Sequence, residues 1–252
     1  NMIIKNNIRL FILFIYFQKF ILAANPNPVF GKNGMIVSTS KQASEAGVDI
    51  LKKGGNAIDA AVTVGFALAV TSSSNGNIGG GGFLVASFAN GESFTLDHRE
   101  KAPEAAHSNM FLDENKSIIP GMSLYSQASS GVPGTVDGLI RALEDYGSGD
   151  ISLREAINPA INLAERGFVL SHYEARQLNA YKNFFAENKA ASKIFIKQNN
   201  KPWKQGDKLI QKDLAKTLKR IARYGRDGFY KGPVAELIVK EMKRGNGLIT
   251  LK

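Results

Sequence analysis

The 252 residues are enough for one large domain or two small ones, and a hydrophobic share of 44% supplies ample core material. The absence of cysteine excludes disulfides, thiolate metal sites and a cysteine nucleophile. The net charge of +10 comes from lysine and arginine that alternate with acids rather than forming a block, which favours a basic solvated surface over a nucleic-acid partner. The three histidines show no metal-ligand spacing, so we expect no metal site.

The first 24 residues differ in composition from the rest. They carry three basic residues and no acid, an apolar run LFILFIYF at 10–17, and Ala23-Ala24 at their end. This pattern predicts a secretory signal peptide over 1–24, a mature chain from residue 25, and a periplasmic or secreted location. The apolar run is too short for a stable membrane span. An alternative is a buried or anchoring N-terminal helix, because Gln18-Lys19 interrupts the apolar stretch.

The next segment predicts a strand and two helices. Met35–Thr39 is typical of a short strand, and Ser40–Lys53 of a helix that stops at Gly54-Gly55. Asn56 can cap a second helix, Ala57–Val70, which is apolar nearly all round. A helix with this composition is expected to be buried.

A glycine-dense loop and a hairpin follow. Asn75–Gly82 contains five glycines between a helix and a strand, the reverse of the order in phosphate-binding loops. We therefore expect these glycines to let the backbone pass close to another segment or a ligand. Phe83–Ala89 and Glu92–Leu96, joined by Asn90-Gly91, predict a β-hairpin. Its first strand hardly alternates, which predicts cover on both faces.

The second half of the chain is predicted to be mostly helical. Pro133-Gly134 opens a helix that reaches Tyr146. The remaining predictions are capping boxes at Ser152/Glu155 and Ser171/Glu174, a short strand at Ile194–Ile196, and amphipathic helices at Asp213–Tyr224 and Pro233–Arg244.

Arg99 is the candidate binding residue. It stands in SFTLDHREKAPEAA, residues 93–106, just beyond the second hairpin strand. A guanidinium at the mouth of a sheet can bind a carboxylate through two parallel hydrogen bonds. The alternative is an ion pair with Asp97 or Glu100. The S-x-x-K match at 38–41 lacks the partner motifs of serine acylases.

Several segments together resemble the gamma-glutamyltranspeptidase family. They are GKNGMIVSTSKQASEAGVDILKKGGNAIDAAV, NIGGGGFLV, LDHREKAPEAA, SGVPGTVDGL and GFYKGPVAELIVKEM, in the family's order and spacing. The resemblance runs from about Gly31 to Thr250. It implies an α/β (α+β) N-terminal-nucleophile hydrolase fold, a four-layer αββα sandwich that is incomplete in this chain. Residues 25–252 are then part of a large-subunit domain.

The resemblance also implies an activity. The family transfers the gamma-glutamyl group of glutathione and related compounds to amino acids, peptides or water through a threonyl ester, without a cofactor. Its R-E-x-A-P arginine, here Arg99, grips the substrate's alpha-carboxylate. The nucleophile is a threonine that begins a small subunit after self-cleavage of one precursor, so no residue of this chain is expected to be catalytic, and the chain alone is expected to be inactive.

Two departures from the family pattern leave alternatives open. Ser72-Ser73 stands where a Glu-Pro pair is common, and His98 where Phe or Tyr is usual. The alternatives are a truncated non-catalytic remnant, and a sister acylase of the same fold that acts on beta-lactam side chains or poly-gamma-glutamate.

Overall fold

The computed structural model describes residues 28–72 and 74–252. The predicted signal peptide, residues 1–24, lies outside the described residues. Residues 28–35 belong to a first unit and form no helix or strand, with a bend at Lys32-Asn33. Residues 36–252 form the second unit.

Two helices begin the second unit where the sequence predicts them. Helix α1 (Lys41–Lys52) starts at Ser40, whose side chain accepts the N–H of Ala43. Helix α2 (Ala57–Thr71) starts at Asn56 in a complete capping box and is buried over most of its length. The strand predicted at 35–39 is wrong: these residues pair with no strand in the described part of the chain, and Val37 is 84% exposed. An apolar run becomes a strand only where a neighbour accepts its backbone hydrogen bonds.

The predicted hairpin is confirmed. Strands β1 (Phe83–Ser87) and β2 (Ser93–Asp97) pair antiparallel, with Phe83 opposite Asp97. One face packs on the core through Leu84, Ala86, Phe94 and Leu96. The prediction that both faces are covered is wrong, because the outer side chains Phe83 and Val85 are 66% and 79% exposed. A continuous apolar run is compatible with burial on both faces of a strand. Whether the second face is buried depends on whether another helix or sheet packs against it.

The second half is helical, as predicted. Its helices are α3 (Met122–Tyr125), α4 (Thr135–Tyr146), α5 (Leu153–Arg166), α6 (His172–Ala180), α7 (Lys182–Ala186), α8 (Lys189–Phe195), α9 (Lys212–Tyr224), α10 (Asp227–Tyr230) and α11 (Pro233–Arg244), and the strands β3 (Phe168–Val169) and β4 (Lys208–Leu209) pair with each other. Both predicted capping boxes form. The strand predicted at 194–196 is wrong, because Asn188 Oδ1 caps Ala190 and Ala191 and starts α8.

The core holds the hairpin in a fixed place. Helix α2 packs against α1, α4 and α5, with Phe66 fully buried among them. Tyr146, at the end of α4, stacks on Phe94 of β2 with ring centroids 3.6 Å apart. The start of β2 is thereby anchored on the helical core. Among residues 28–72 and 74–252, no helix is long and apolar enough to cross a membrane.

Candidate active site

Arg99 lies two residues beyond the end of β2, at the mouth of the hairpin as the sequence predicts. His98 extends the ladder by one pair: its N–H donates to Gly82 O at 3.0 Å, and Gly82 N–H donates to His98 O at 3.3 Å. The Arg99 N–H then donates to Asp97 Oδ1 at 3.0 Å. This local bond turns the chain away from the sheet. We call residues 98–101 the arginine loop.

Glycines let two other segments approach the arginine loop. A β-carbon on Gly81 would lie 2.7 Å from Arg99 Cα and 2.7 Å from Glu100 N, closer than side chains tolerate. A β-carbon on Gly134 would collide with the carbonyl oxygen of His98. The prediction that the glycine-dense loop lets the backbone pass close to another segment is confirmed at Gly81. We call residues 79–82 the glycine loop and residues 131–135 the clamp segment.

Backbone hydrogen bonds join the three segments. Gly80 O accepts the N–H groups of Gly134 at 2.7 Å and Thr135 at 2.9 Å. Lys101 and Val132 exchange two hydrogen bonds, at 3.2 Å and 2.7 Å. The arginine loop is therefore held on one side by the glycine loop and on the other by the clamp segment.

The Arg99 guanidinium is held by one edge and open at the other. Its Nε donates to Glu100 Oε2 at 3.0 Å, and its Cζ lies 5.7 Å from the ring centroid of Phe83, within cation–π range. Neither Nη1 nor Nη2 donates a hydrogen bond to any residue that the structure describes. The side chain is 60% exposed. The ion pair with Glu100 is thus present, and it leaves the two terminal nitrogens available for a carboxylate.

Glu100 is ionised in this arrangement. The pKa of its carboxyl is lowered from 4.5, first by its own backbone N–H, against a raising effect of burial, and then by Arg99 and the Gly81 N–H. An exposed ion pair of this kind contributes only about 0–1 kcal/mol to stability. Its main effect is on geometry, since it fixes the rotation of the guanidinium about its Nε edge.

A depression of about 400 Å³ adjoins the arginine loop. Its charged lining comes from Asp97, Arg99, Lys101, Asp137 and Arg141. Asp137 is paired with Arg226, and Arg141 with Asp145. Among the described residues, Lys101 has no ion pair and Arg99 keeps two terminal nitrogens free of hydrogen bonds, whereas Arg141 is paired along its own helix. These two cations suit an anionic ligand.

A larger cavity, of about 650 Å³, lies elsewhere and lacks Arg99. Half of its described lining residues are aromatic or aliphatic, among them Tyr173, Tyr181, Phe184 and Phe185. Glu174 is its charged lining residue, and its carboxylate caps α6. With no cation among the described residues of this lining, the cavity does not suit a carboxylate.

The S-x-x-K match is structural. Ser38 Oγ donates to Ser40 O at 2.8 Å and contacts Ser44 Oγ at 2.8 Å. Lys41 Nζ points instead to Glu45, 3.7 Å away along α1. These groups organise the start of α1 and do not form a nucleophile and base.

The family follows from the comparison with known sequences. The sequence model of the family described as Gamma-glutamyltranspeptidase matches residues 43–252. The chain belongs to the gamma-glutamyltranspeptidase family. Similar relatives are the glutathione hydrolase proenzymes of Pseudomonas sp. (strain A14), 47% identical over 90% of this chain and 39% of the relative, and of Escherichia coli (strain K12), 45% identical over 89% and 38%.

The comparison with solved structures agrees. Gamma-glutamyltranspeptidase of Helicobacter pylori superposes with a TM-score of 0.85 at 47% identity, covering 89% of this chain and 64% of that one. This confirms the expected α+β fold of N-terminal-nucleophile hydrolases. The chain spans about two fifths of the length of the curated relatives that it matches.

Sequence reasoning did not single out Tyr230. Tyr230 lines the same depression as Arg99, although 131 positions separate them. In the sequence, Tyr230 belongs to the GFYKG segment. That segment contributed to the family resemblance but suggested no role for Tyr230.

Proposed function

We propose that this chain supplies part of a gamma-glutamyltransferase that also hydrolyses glutathione. The observation that carries the proposal is Arg99. It stands at the end of β2 with its Nε bound to Glu100 and with Nη1 and Nη2 free of bonds to the described residues. This is the geometry needed to receive a carboxylate through two parallel, charge-assisted hydrogen bonds.

Binding at Arg99 orients the donor substrate. A gamma-glutamyl group carries its alpha-carboxylate at one end and its reactive gamma-carbonyl at the other. Two hydrogen bonds from one rigid guanidinium fix both the depth and the rotation of the carboxylate. The gamma-carbonyl is then delivered to a constant position, which lowers the entropic part of the barrier.

The chemical step uses a nucleophile that we assign to no residue of this chain. By the family resemblance, a threonine hydroxyl of the small subunit attacks the gamma-carbonyl carbon, and its free amine can accept the proton. The bond to the donor's leaving amine breaks as that nitrogen takes up the proton, which leaves a threonyl ester and in glutathione releases cysteinylglycine. An acceptor amine or water then attacks the threonyl ester and frees the threonine. The proposed reaction uses no cofactor.

The exposed face of the hairpin is the proposed contact with the small subunit. Phe83 and Val85 point away from the helical core and are largely exposed. Two neighbouring apolar side chains on one sheet face suit a second sheet packed against them. The word proenzyme in the names of the bacterial relatives supports a partner cut from the same precursor.

The domain and localisation predictions enter as part of this proposal. We propose that residues 25–252 are part of the large subunit and that residues 1–24 direct export to the periplasm or the medium. Their basic start and short apolar run support this assignment. The intact mass of the exported protein is expected to show a chain that begins near Asn25, whereas a product retaining Met2 would contradict it.

The function is tested with the complete gene product after processing. Release of the aniline is measured from gamma-glutamyl, alpha-glutamyl and acyl anilides, with and without a dipeptide acceptor. We expect turnover of the gamma-glutamyl anilide alone, accelerated by the acceptor. No turnover of any gamma-glutamyl donor would favour a non-catalytic remnant, and faster cleavage of a beta-lactam side chain or poly-gamma-glutamate would favour a sister acylase.

A further inference from the structure

The Tyr230 hydroxyl bridges two backbone groups next to the arginine loop. It donates to Pro133 O at 2.9 Å and accepts the N–H of Asp137 at 3.2 Å. Burial raises the pKa of this phenol, so the hydroxyl stays protonated and can donate at neutral pH. One side chain at the end of α10 therefore contacts the clamp segment and the first turn of α4 together.

The bridge replaces an ordinary helix cap. The first N–H groups of a helix have no partner within the helix. Gly134 occupies the N-cap position of α4 and makes no side-chain hydrogen bond there. Tyr230 satisfies one of the orphan donors, that of Asp137, from outside the helix. The clamp segment can thus keep a glycine at the point where it must touch His98.

Ion pairs hold α10, which carries Tyr230, against α4. Arg226, next to the start of α10, pairs with Asp137 and with Glu144, the latter at 2.8 Å. Both carboxylates project from α4, so α10 is tied to α4 at two points. Phe229 packs edge-on against the Tyr230 ring with centroids 5.0 Å apart. The hydroxyl is held by its surroundings as well as by its two hydrogen bonds.

A continuous set of contacts leads from Tyr230 to Arg99. The hydroxyl holds Pro133, and the adjacent Val132 exchanges two hydrogen bonds with Lys101. Gly134, on the other side of Pro133, packs on the carbonyl groups of His98 and Arg99. Loosening the clamp segment would free one of the two walls that hold the arginine loop.

We propose that Tyr230 is a positioning residue that sets the geometry of the Arg99 carboxylate site. The proposal rests on the proposed function, because it takes Arg99 as the group that binds the alpha-carboxylate. Tyr230 touches neither substrate nor nucleophile in this account. Its effect on the reaction passes entirely through the arginine loop.

The test is Tyr230→Phe in the complete, processed enzyme, assayed with two donors. One is a gamma-glutamyl anilide and the other is 4-aminobutyryl anilide, the same acyl group without its alpha-carboxylate. We expect KM for the gamma-glutamyl anilide to rise about 5- to 10-fold, as loss of one hydrogen bond would produce, with kcat within about twofold. The same variant should leave kcat/KM for 4-aminobutyryl anilide within about twofold of the parent.

Two controls separate positioning from general destabilisation. Tyr146→Phe removes a hydroxyl that makes no hydrogen bond to the described residues, from a ring that stacks on the same hairpin. Ser152→Ala removes a helix cap distant in sequence and should lower Tm by a few degrees, about as much as Tyr230→Phe. Neither control should alter the ratio of kcat/KM for the two donors. p-Aminophenylalanine at position 230 keeps a donor and a lone pair and should restore most of that ratio.

A double variant tests whether Tyr230 acts on the reaction through Arg99. In an Arg99→Ala background, Tyr230→Phe should change kcat/KM by less than about twofold, because the group that it positions is gone. Equal losses on both donors, or full additivity with Arg99→Ala, would overturn the inference for Tyr230 alone. An Arg99→Ala enzyme that still prefers the carboxylate-bearing donor as strongly as the parent would instead overturn the carboxylate assignment, and the Tyr230 inference with it.

Discussion

Gly81 and Arg99 lie so close together that a β-carbon on the glycine would stand 2.7 Å from the α-carbon of the arginine. The same β-carbon would meet the carbonyl oxygen of His98 at 2.5 Å. These are backbone atoms of a loop that is hydrogen-bonded on both sides, so they cannot rotate away as the end of a side chain can. The glycine loop therefore fixes the position of the Arg99 backbone.

We predict that Gly81→Ala displaces the arginine loop and lowers kcat/KM for gamma-glutamyl donors at least about 10-fold, since sub-ångström errors in placing a binding group are costly. Steady-state kinetics of the complete enzyme measure this. The matched control is Gly79→Ala in the same loop, where an added β-carbon meets nothing within 4 Å. Equal effects of the two substitutions would show that loop flexibility, and not the approach to Arg99, is what matters.

Glu100→Gln tests the ion pair that orients the guanidinium. The amide keeps the shape and one acceptor but loses the charge that faces Arg99 Nε. We predict a rise in KM of about 3- to 10-fold, smaller than the effect of removing Arg99, because an exposed pair contributes only modestly. A variant with unchanged KM would show that Arg99 keeps its orientation without Glu100.

The same carboxylate predicts a pH dependence of stability. The pKa of Glu100 is lower in the folded protein than its ordinary value of 4.5, so on acidification the unfolded chain is protonated there first. The stabilisation is complete above pH 4.5 and is lost as the pH falls through the lowered folded-state pKa. The difference in Tm between the parent and Glu100→Gln should be constant at neutral pH and shrink below pH 4.5. A difference that grows on acidification would contradict the direction assigned to the shift.

Asn56→Ala tests the junction that anchors the helical core. Asn56 Oδ1 caps the N–H groups of Ile58 and Asp59 at 2.8 and 3.0 Å, and its Nδ2 donates to Tyr146 O at 2.9 Å. We predict a loss of about 1–2 kcal/mol in the free energy of unfolding, measured by denaturant titration, with the donor preference unchanged. A change in the ratio of kcat/KM for the two donors, gamma-glutamyl anilide and 4-aminobutyryl anilide, would show that this junction is coupled to the arginine loop.

Local chemistry made part of the fold predictable. Capping side chains, the Asn-Gly turn and glycine stops act within a few residues, and α1, α2, the hairpin and both capping boxes lie where those signals predict. The run at 35–39 misled because no strand in the described part of the chain pairs with it. The run at 194–196 misled because short apolar runs suit strands and helices alike. In the second case Asn188 decided for a helix.

The site divides in the same way. Arg99 was predicted because a charged residue that ends an apolar strand is conspicuous in the sequence, and because its R-E-x-A-P segment resembles the family's carboxylate-binding segment. Tyr230 was not found because its partners, Pro133 and Asp137, are nearly a hundred residues away in the chain. The cover expected on the second face of the hairpin also depends on tertiary neighbours, which periodicity does not report.

The most direct measurement of carboxylate binding by Arg99 is the ratio of kcat/KM for gamma-glutamyl anilide to that for 4-aminobutyryl anilide, in the complete enzyme and in its Arg99→Ala and Arg99→Lys variants. Loss of a charge-assisted bidentate contact costs about 2–4 kcal/mol, so Arg99→Ala should reduce kcat/KM for the gamma-glutamyl donor about 30- to 1000-fold and bring the ratio close to about one. Arg99→Lys should recover only part of the ratio, because an ammonium lacks the planar fork. A ratio that Arg99→Ala leaves at the parent value would contradict the assignment.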